Sequence, residues 1–506
     1  MVEQREWRWV AVFALAIVMA LWLPYLVAWL ATPPDAHFTG LVYNPLDGHS
    51  YIAKMQLGAA GSWRFQLTYT HEAHAGAPVY LFYLLLGHLV RWTGLPHLAV
   101  YHGVRTAGSI AFLFGLYRLV AHLGETVRQR RLLVLLVTLG AGLGWLIAPL
   151  GRETPDLWVV EAYPFAAALT NAHFPVAMAL LAWAAHWGLR ADADHRAGLA
   201  MVGAMVLLSA IQPFALVPLA GGLGGAWLAR ILRTRRVPWR GIIWAGLAVL
   251  LALPYSIYAL WALQADPLLA AWSAQNQTPS PPLWDWLLGW GLVGPLALAG
   301  TIGAFRRRKD ADGLLLGWLL ATVVGLALPI DLARRLSLGL GIALGSLAGL
   351  GWEHLARRWR GRLRSLSTVL LVALAALTPL FLLLLGVGAA VGEYPLLYLS
   401  DGEWEAMAWL RDHVPHHAVV LCAPETGMFI PAWAGQRVVY GHPFETVDAA
   451  RRETQVKQYW AGARSDAWLE TVGVDYFFYG PREQALGLPP AGEILFATRD
   501  TTIYRR

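Results

Sequence analysis

Cysteine is almost absent. Cys422 stands alone, which excludes an intrachain disulfide framework and any paired-cysteine metal site, and reads as a structural thiol. Charge is scarce too, at 14% of residues where a soluble domain carries about 25%. The net charge of +7 does not point to nucleic acid, because the basic residues fall in short clusters between apolar runs, where they set membrane orientation. No internal repeat of fixed period is evident. What is abundant is apolar: 57% of residues, in runs of about 18 or more that recur along most of the chain. The 26 tryptophans suit the two membrane–water interfaces. These features describe a polytopic α-helical membrane protein.

The first apolar run, Trp9 to Ala31, follows Arg5 and Arg8 and is too long for a signal-peptide core, so it reads as an uncleaved first span with a cytoplasmic N-terminus. Further basic clusters stand at Arg128/Arg130/Arg131, Arg190/Arg196, Arg230 to Arg240, Arg306 to Lys309 and Arg357 to Arg364. If each faces the cytoplasm, an even number of crossings separates neighbours. Three apolar stretches precede Arg128, and the middle one, Val79–Val90, is only about 12 residues long. It is therefore assigned as an interfacial or re-entrant helix on the outer face. Spans then follow Leu98–Leu123 at 132–149, 175–189, 197–211, 214–231, 241–261, 284–304, 313–330, 335–355 and 365–390. The expected total is about eleven, in a transmembrane domain over 1–391 whose first outer loop covers 32–98. Beyond residue 392, strand-like AVVLCA, RVVYG and VDYFFYG alternate with helical segments, and ILFATRDTTIYR closes the chain. This predicts a small extracytoplasmic α/β domain over 392–506.

By this topology the outer loops concentrate ionisable groups. The first carries Asp47, Tyr51, His71, Glu72 and His74, and the second carries Asp156 and Glu161, with His173 at its end. Asp47 opens an amphipathic helical run as Asp-x-x-x-Tyr. It reads either as the helix N-cap or as a general base that takes a proton from an attacking hydroxyl. The segment His71-Glu72-Ala73-His74 lacks the zinc spacing H-E-x-x-H, which favours structural or substrate contacts over a metal site. A hard divalent cation, Mg²⁺ or Mn²⁺, held by Asp47, Asp156 or Glu161 is the metal reading left open. Arg334 and Arg335 lie at the outer end of two spans, against the positive-inside trend, with Arg105 a weaker case of the same kind. They either snorkel to headgroups or hold a lipid-linked phosphate.

Asp47 with Tyr51, then Gly61 and Trp63, then Pro78 opening VYLFYLLLGHLV, and Arg105 within a span, together resemble motifs of the GT-C superfamily of polyprenyl-phosphate-sugar-dependent glycosyltransferases. The likeness is to the bacterial aminoarabinose and lipopolysaccharide-core transferases, and more distantly to protein O-mannosyltransferases. It covers roughly the first 200 residues by motif and the spans by architecture. The family's loop motif is Asp-Glu-x-x-Tyr, and here Gly48 stands in the glutamate's place. The resemblance implies a bacterial plasma-membrane enzyme with Asp47 as catalytic base. Glu72 and Glu161 are the candidates for the second acid.

The implied reaction is inverting transfer of a sugar from a polyprenyl-phosphate donor to a hydroxyl on a lipid, glycan or protein acceptor. Tyr51, His71, His74, Arg105, Asp156, His173, Arg334 and Arg335 are the expected substrate contacts. Two rivals stand beside it. A transporter or flippase of lipid-linked sugars would show paired halves with broken helices and midplane charge, whereas these charges lie at outer faces. A catalytically inactive, glycan-binding relative is the other, and Gly48 keeps it in view.

Overall fold

The computed structural model describes residues 2–359 and 361–506, so Arg360 of the last basic cluster lies outside the described residues. The chain is mostly helical and resolves into two compact units. One comprises the N-terminal residues through Leu23 with His102–Ser256 and Thr278–Leu385, and the other comprises Pro24–Tyr101, Ile257–Gln277 and Gly386–Arg506.

Among the described residues five helices are long and apolar enough to cross a membrane: Gln4–Leu30, Val127–Leu150, Pro213–Thr234, Trp239–Ala265 and Asp310–Ala327. Two bent pairs raise the number to seven. The stretch 284–304, expected as a span, is broken in two. Leu283–Trp290 and Val293–Arg307 meet at 90°. Gly291 between them has φ 39°, a conformation that glycine adopts without strain and hydropathy cannot register. The outer segment 79–90 forms the helix Leu81–Thr93, whose 13 residues are too few for that set.

In the first unit, Leu216–Thr234 packs along Asp310–Ala327 through Gly221, Gly225, Gly313 and Gly317. A Cβ on Gly225 would collide with the Gly313 carbonyl, and one on Gly317 with that of Gly221. Small residues four apart let two backbones touch, which is how apolar helices associate when lipid competes for side-chain contact. Two buried acids of this unit are tied down: Glu6 accepts from Arg130 Nη1 at 2.9 Å and Tyr117 Oη at 2.5 Å, and Asp312 accepts from two Arg307 nitrogens at 2.6 and 3.0 Å.

The second unit joins the first outer loop to the C-terminal segment. Ala36–Phe38 pairs antiparallel with Tyr398–Ser400, and an isolated bridge between Phe65 and Ala77 closes the loop's central part. A five-stranded sheet runs in the order Arg437–Val438, Val419–Leu421, Tyr476–Tyr479, Thr502–Arg505, Glu493–Ala497. Its first three strands are parallel, and the last two form an antiparallel hairpin where the sequence suggested a single strand-like stretch. Ser400 and Glu403 close a capping box on the helix Asp401–His413. Cys422 is buried beside this sheet, and burial pushes its thiol pKa up, as suits a structural residue. Gln56 Nε2 bonds the Ala432 carbonyl and Tyr69 Oη that of Met428, so the outer loop and the sheet share one packed body.

Candidate active site

The helix Pro45–Ala59 sets the geometry around Asp47. Proline lacks an N–H and suits the first helical position, so the cap falls on Asn44, held left-handed at φ 48°. Asp47 is therefore the third helical residue and not the N-cap, which corrects the structural alternative drawn from the sequence. Its Oδ2 accepts from Asn44 Nδ2 at 2.7 Å. The carboxylate is 42% exposed, and among the described residues no lysine or arginine lies within ion-pair distance of it.

One turn further on, Ser50 and Lys54 share a face. Lys54, 2% exposed, donates to Glu445 Oε1 at 2.8 Å and to Ser50 Oγ at 2.6 Å, while Ser50 donates to the same glutamate oxygen at 2.9 Å. The rings of Tyr51, Phe65 and Tyr80 surround the ammonium at 4.8 to 5.4 Å. Burial acts to raise the Glu445 pKa, but Lys54, His442 and the serine hydrogen bond outweigh it and hold the carboxyl below its ordinary value. An ionised buried pair therefore lies two turns from Asp47. Gly48, where the GT-C motif has glutamate, packs on Leu41, and a Cβ there would come within 3.0 Å of Leu41 Cδ1. The acid that approaches this helix comes instead from the C-terminal segment, as Glu445.

His442 lies in the same segment, fully buried, with Nε2 4.0 Å from Asp47 Oδ1. Sequence reasoning missed Lys54, His442 and Glu445. A signal existed for one of them: Lys54 is one of three lysines in the sequence, with Lys309 and Lys457, and it interrupts an apolar helix face. The other two are some 390 residues away along the chain, in a segment read only for its strands.

Tyr51 stacks on Tyr83 with centroids 4.1 Å apart, and burial followed by the Asp47 charge raises its hydroxyl pKa well above the usual value. Glu72 is bound to Arg452 at 2.7 Å and also meets Thr70 and His71 Nδ1. His74 Nε2 accepts from the Leu67 N–H at 2.8 Å, and its Nδ1 donates to Asp266 at 3.0 Å. Glu72 and His74, with His416, His417 and Arg437, line a cavity of about 310 Å³. These loop groups tie chain segments together and also border this recess.

The remaining candidates belong to the other unit. Arg334 Nε is 3.7 Å from Glu161 Oε1 and its guanidinium lies over Trp158, while Arg335 lies over Phe214. Arg105 is buried and donates to the Leu169 carbonyl at 2.6 Å, and buried His173 packs against Phe174. Asp156 is buried, accepting from the Gly142 and Gly144 N–H groups and from Thr154 and Thr378. Burial raises its pKa against those hydrogen bonds. With its oxygens so committed Asp156 does not fit as a metal ligand. Among the described residues no group of three or more histidine, cysteine, aspartate or glutamate side chains is placed to hold a metal ion.

No family model matches the sequence, and no curated protein matches it. Solved structures do. The chain superposes on ArnT from Cupriavidus metallidurans bound to undecaprenyl phosphate with a TM-score of 0.54 and 12% identity, covering 96% of this chain and 97% of that one. With the arabinofuranosyltransferase AftD from Mycobacteria the TM-score is 0.53 and identity 17%, over 98% of this chain but only 40% of AftD. The Archaeoglobus fulgidus oligosaccharyltransferase tethered with an acceptor peptide gives 0.50 and 15%, over 92% of this chain and 69% of that one. At such identities what is shared is architecture, and the chain has the GT-C fold of these membrane glycosyltransferases.

Proposed function

We propose that the chain is a membrane glycosyltransferase that moves a sugar from a polyprenyl-phosphate donor to an acceptor hydroxyl outside the cytoplasm. One observation carries the reading: on a GT-C fold, Asp47 is a half-exposed carboxylate with no lysine or arginine partner among the described residues, oriented by Asn44 at the start of an outer-loop helix. Such a group can accept a proton at the moment an oxygen attacks. The acceptor O–H proton passes to Asp47 as the oxygen bonds the anomeric carbon. The bond from that carbon to the phosphate oxygen breaks, the lipid phosphate leaves, and a single displacement inverts the centre. Arg334 and Arg335 are assigned to the phosphate, since a guanidinium fork suits the developing charge and Arg334 Nε has no hydrogen-bond partner among the described residues. Undecaprenyl phosphate in the ArnT structure supports a donor of this class.

In this reading four further helices, His97–Val120, His173–Gly188, His195–Ile211 and Leu340–Leu355, complete the set of about eleven spans in a bacterial plasma membrane. The N-terminus is cytoplasmic and the sheet-bearing C-terminal domain lies outside. Neither Glu72 nor Glu161 is needed as a second proton carrier, because each already faces an arginine. The test is release of undecaprenyl phosphate from a panel of undecaprenyl-phosphate-linked monosaccharides by protein in proteoliposomes. Asp47→Asn is expected to lower the rate by about 10²- to 10⁴-fold with unchanged thermal unfolding. Near-normal turnover by that variant would sink the assignment.

A further inference from the structure

The turn Gly441–Thr446 is built to hold one imidazole. Thr446 Oγ1 accepts from the backbone N–H groups of Gly441 and His442, at 3.4 and 3.3 Å. His442 Nδ1 accepts from those of Phe444 and Glu445, at 3.1 and 3.2 Å. A neutral ring whose Nδ1 accepts carries its proton on Nε2. That Nε2 is buried, has the Leu46 carbonyl only as a weak acceptor and no close hydrogen-bond partner among the described residues, and lies 4.0 Å from Asp47 Oδ1. A buried donor without a close acceptor is costly, and such groups in native folds call for an explanation. Packing does not supply one, since Tyr69 and Phe444 would flank an apolar ring equally well.

We propose that His442 is a positioning residue for Asp47. Its Nε2–H already faces Oδ1 across 4.0 Å in the free chain and draws closer when acceptor binds, while Asn44 holds Oδ2, so that the carboxylate plane is fixed toward the incoming hydroxyl. Contacts of this kind are often long in the free enzyme and tighten in the complex. The ring is suited to donate as a neutral group: burial lowers its pKa, more than the charges of Glu445 and Asp47 raise it, and Lys54 lowers it further. The C-terminal domain thereby contributes a side chain to the outer-loop site. This inference rests on Asp47 being the base.

Two substitutions separate positioning from folding. His442→Asn keeps an acceptor for the Phe444 and Glu445 N–H groups but is too short to reach Asp47. His442→Gln places an N–H near the Nε2 position. With the undecaprenyl-phosphate-linked monosaccharide that the wild type turns over fastest, His442→Asn is expected to lower kcat by about 10- to 100-fold with KM within about twofold, and His442→Gln to recover most of it. A substrate-free arm follows labelling of Asp47 by a water-soluble carbodiimide, which reacts with the protonated carboxyl, by peptide mass spectrometry. Labelling rises severalfold in His442→Asn and not in His442→Gln. Wild-type kcat and labelling in His442→Asn overturn the role of His442 while an inactive Asp47→Asn leaves the proposed reaction standing. If Asp47→Asn turns over normally, the reaction assignment falls, and the labelling result alone reports whether His442 orients the carboxylate. Equal losses in the Asn and Gln variants mean a structural histidine and overturn the inference.

Discussion

The two units handle buried acids alike and part at one exposed carboxylate of the second. In the first, Glu6, Asp312 and Glu353 each sit against an arginine, and Asp156 is saturated by backbone and threonine donors. In the second, Glu403 likewise sits against Arg482, Lys54 pairs with Glu445 and backbone donors hold Glu483, but Asp47, two helical turns from Lys54, faces only the neutral donors of Asn44 and His442 among the described residues. Acids matched by arginines hold helices together where solvation is poor, because an unpaired carboxylate there is expensive. An acid left without a cation at a loop helix keeps the lone pairs a base requires. What separates an acid suited to chemistry from a structural one is thus the partner and not the exposure alone. Asp47→Asn tests this most severely: its loss of about 10²- to 10⁴-fold in rate should leave stability untouched, whereas Glu161→Gln should keep at least a tenth of the rate. A Glu161→Gln variant as inactive as Asp47→Asn would erase the contrast.

The next effect is on stability. Lys54→Met leaves the Glu445 carboxylate buried without its cation, and should destabilise by about 3–5 kcal/mol in thermal or denaturant unfolding. Arg307→Met, which leaves Asp312 alone and at least as buried, should cost a similar amount. Adding Glu445→Leu to Lys54→Met should recover part of the loss, because two apolar groups avoid the desolvation that one orphaned charge suffers. If the double variant is worse than the single, the pair is held by something other than its mutual charge.

The membrane class and the α/β character of the C-terminal part were legible in the sequence, and Asp47 was singled out there as a candidate. Each follows from local signals, namely long apolar runs, alternating strands and helices, and an acid heading an amphipathic helix. The bend at Gly291 was not, since a hydropathy average treats a glycine between tryptophan and leucine as part of one span. Glu445 and His442 were invisible for another reason. Their meaning depends on packing against Ser50, Lys54 and Asp47, and HPFET is an ordinary turn without that helix. His71 and His74 drew attention by density, yet His71 faces Glu72, and His74 is occupied by Leu67 and Asp266.

A smaller effect is expected from Arg334. Its Glu161 contact is loose at 3.7 Å and its guanidinium is supported by Trp158, so Arg334→Gln should spare the fold. Loss of one charge-assisted contact to phosphate should raise KM for the undecaprenyl-phosphate-linked donor by about tenfold. Arg334→Lys should recover only part of this, because an ammonium keeps the charge without the planar fork. Equal KM values for wild type, Gln and Lys would remove Arg334 from the donor site and leave the first unit without an assigned phosphate contact.

The gentlest probe is acid. Burial pushes His49 down to about 4 and His71 to about 4, from an ordinary value of about 6.5. Both pKa values are lower in the folded chain than in the unfolded one. Between pH 6.5 and 4 the unfolded state therefore binds protons that the folded state refuses. The stabilisation is complete above about 6.5 and drains away as pH falls toward 4. Glu445, held below its ordinary value, adds a loss of the same sign at lower pH, as the carboxylate paired with Lys54 is protonated. Limited proteolysis should accordingly open the 386–506 segment progressively from pH 6.5 to 4. His71→Asn should flatten the slope slightly, its ring being only partly buried, and His49→Asn more so, since His49 is enclosed by Phe429 and Trp433. His49→Asn retains a donor for the Pro45 carbonyl that His49 Nδ1 meets at 2.6 Å, so the start of the Asp47 helix is kept while the titration is removed. Identical acid profiles for wild type and both variants would move the pH dependence of this unit away from its histidines and onto the Lys54–Glu445 pair.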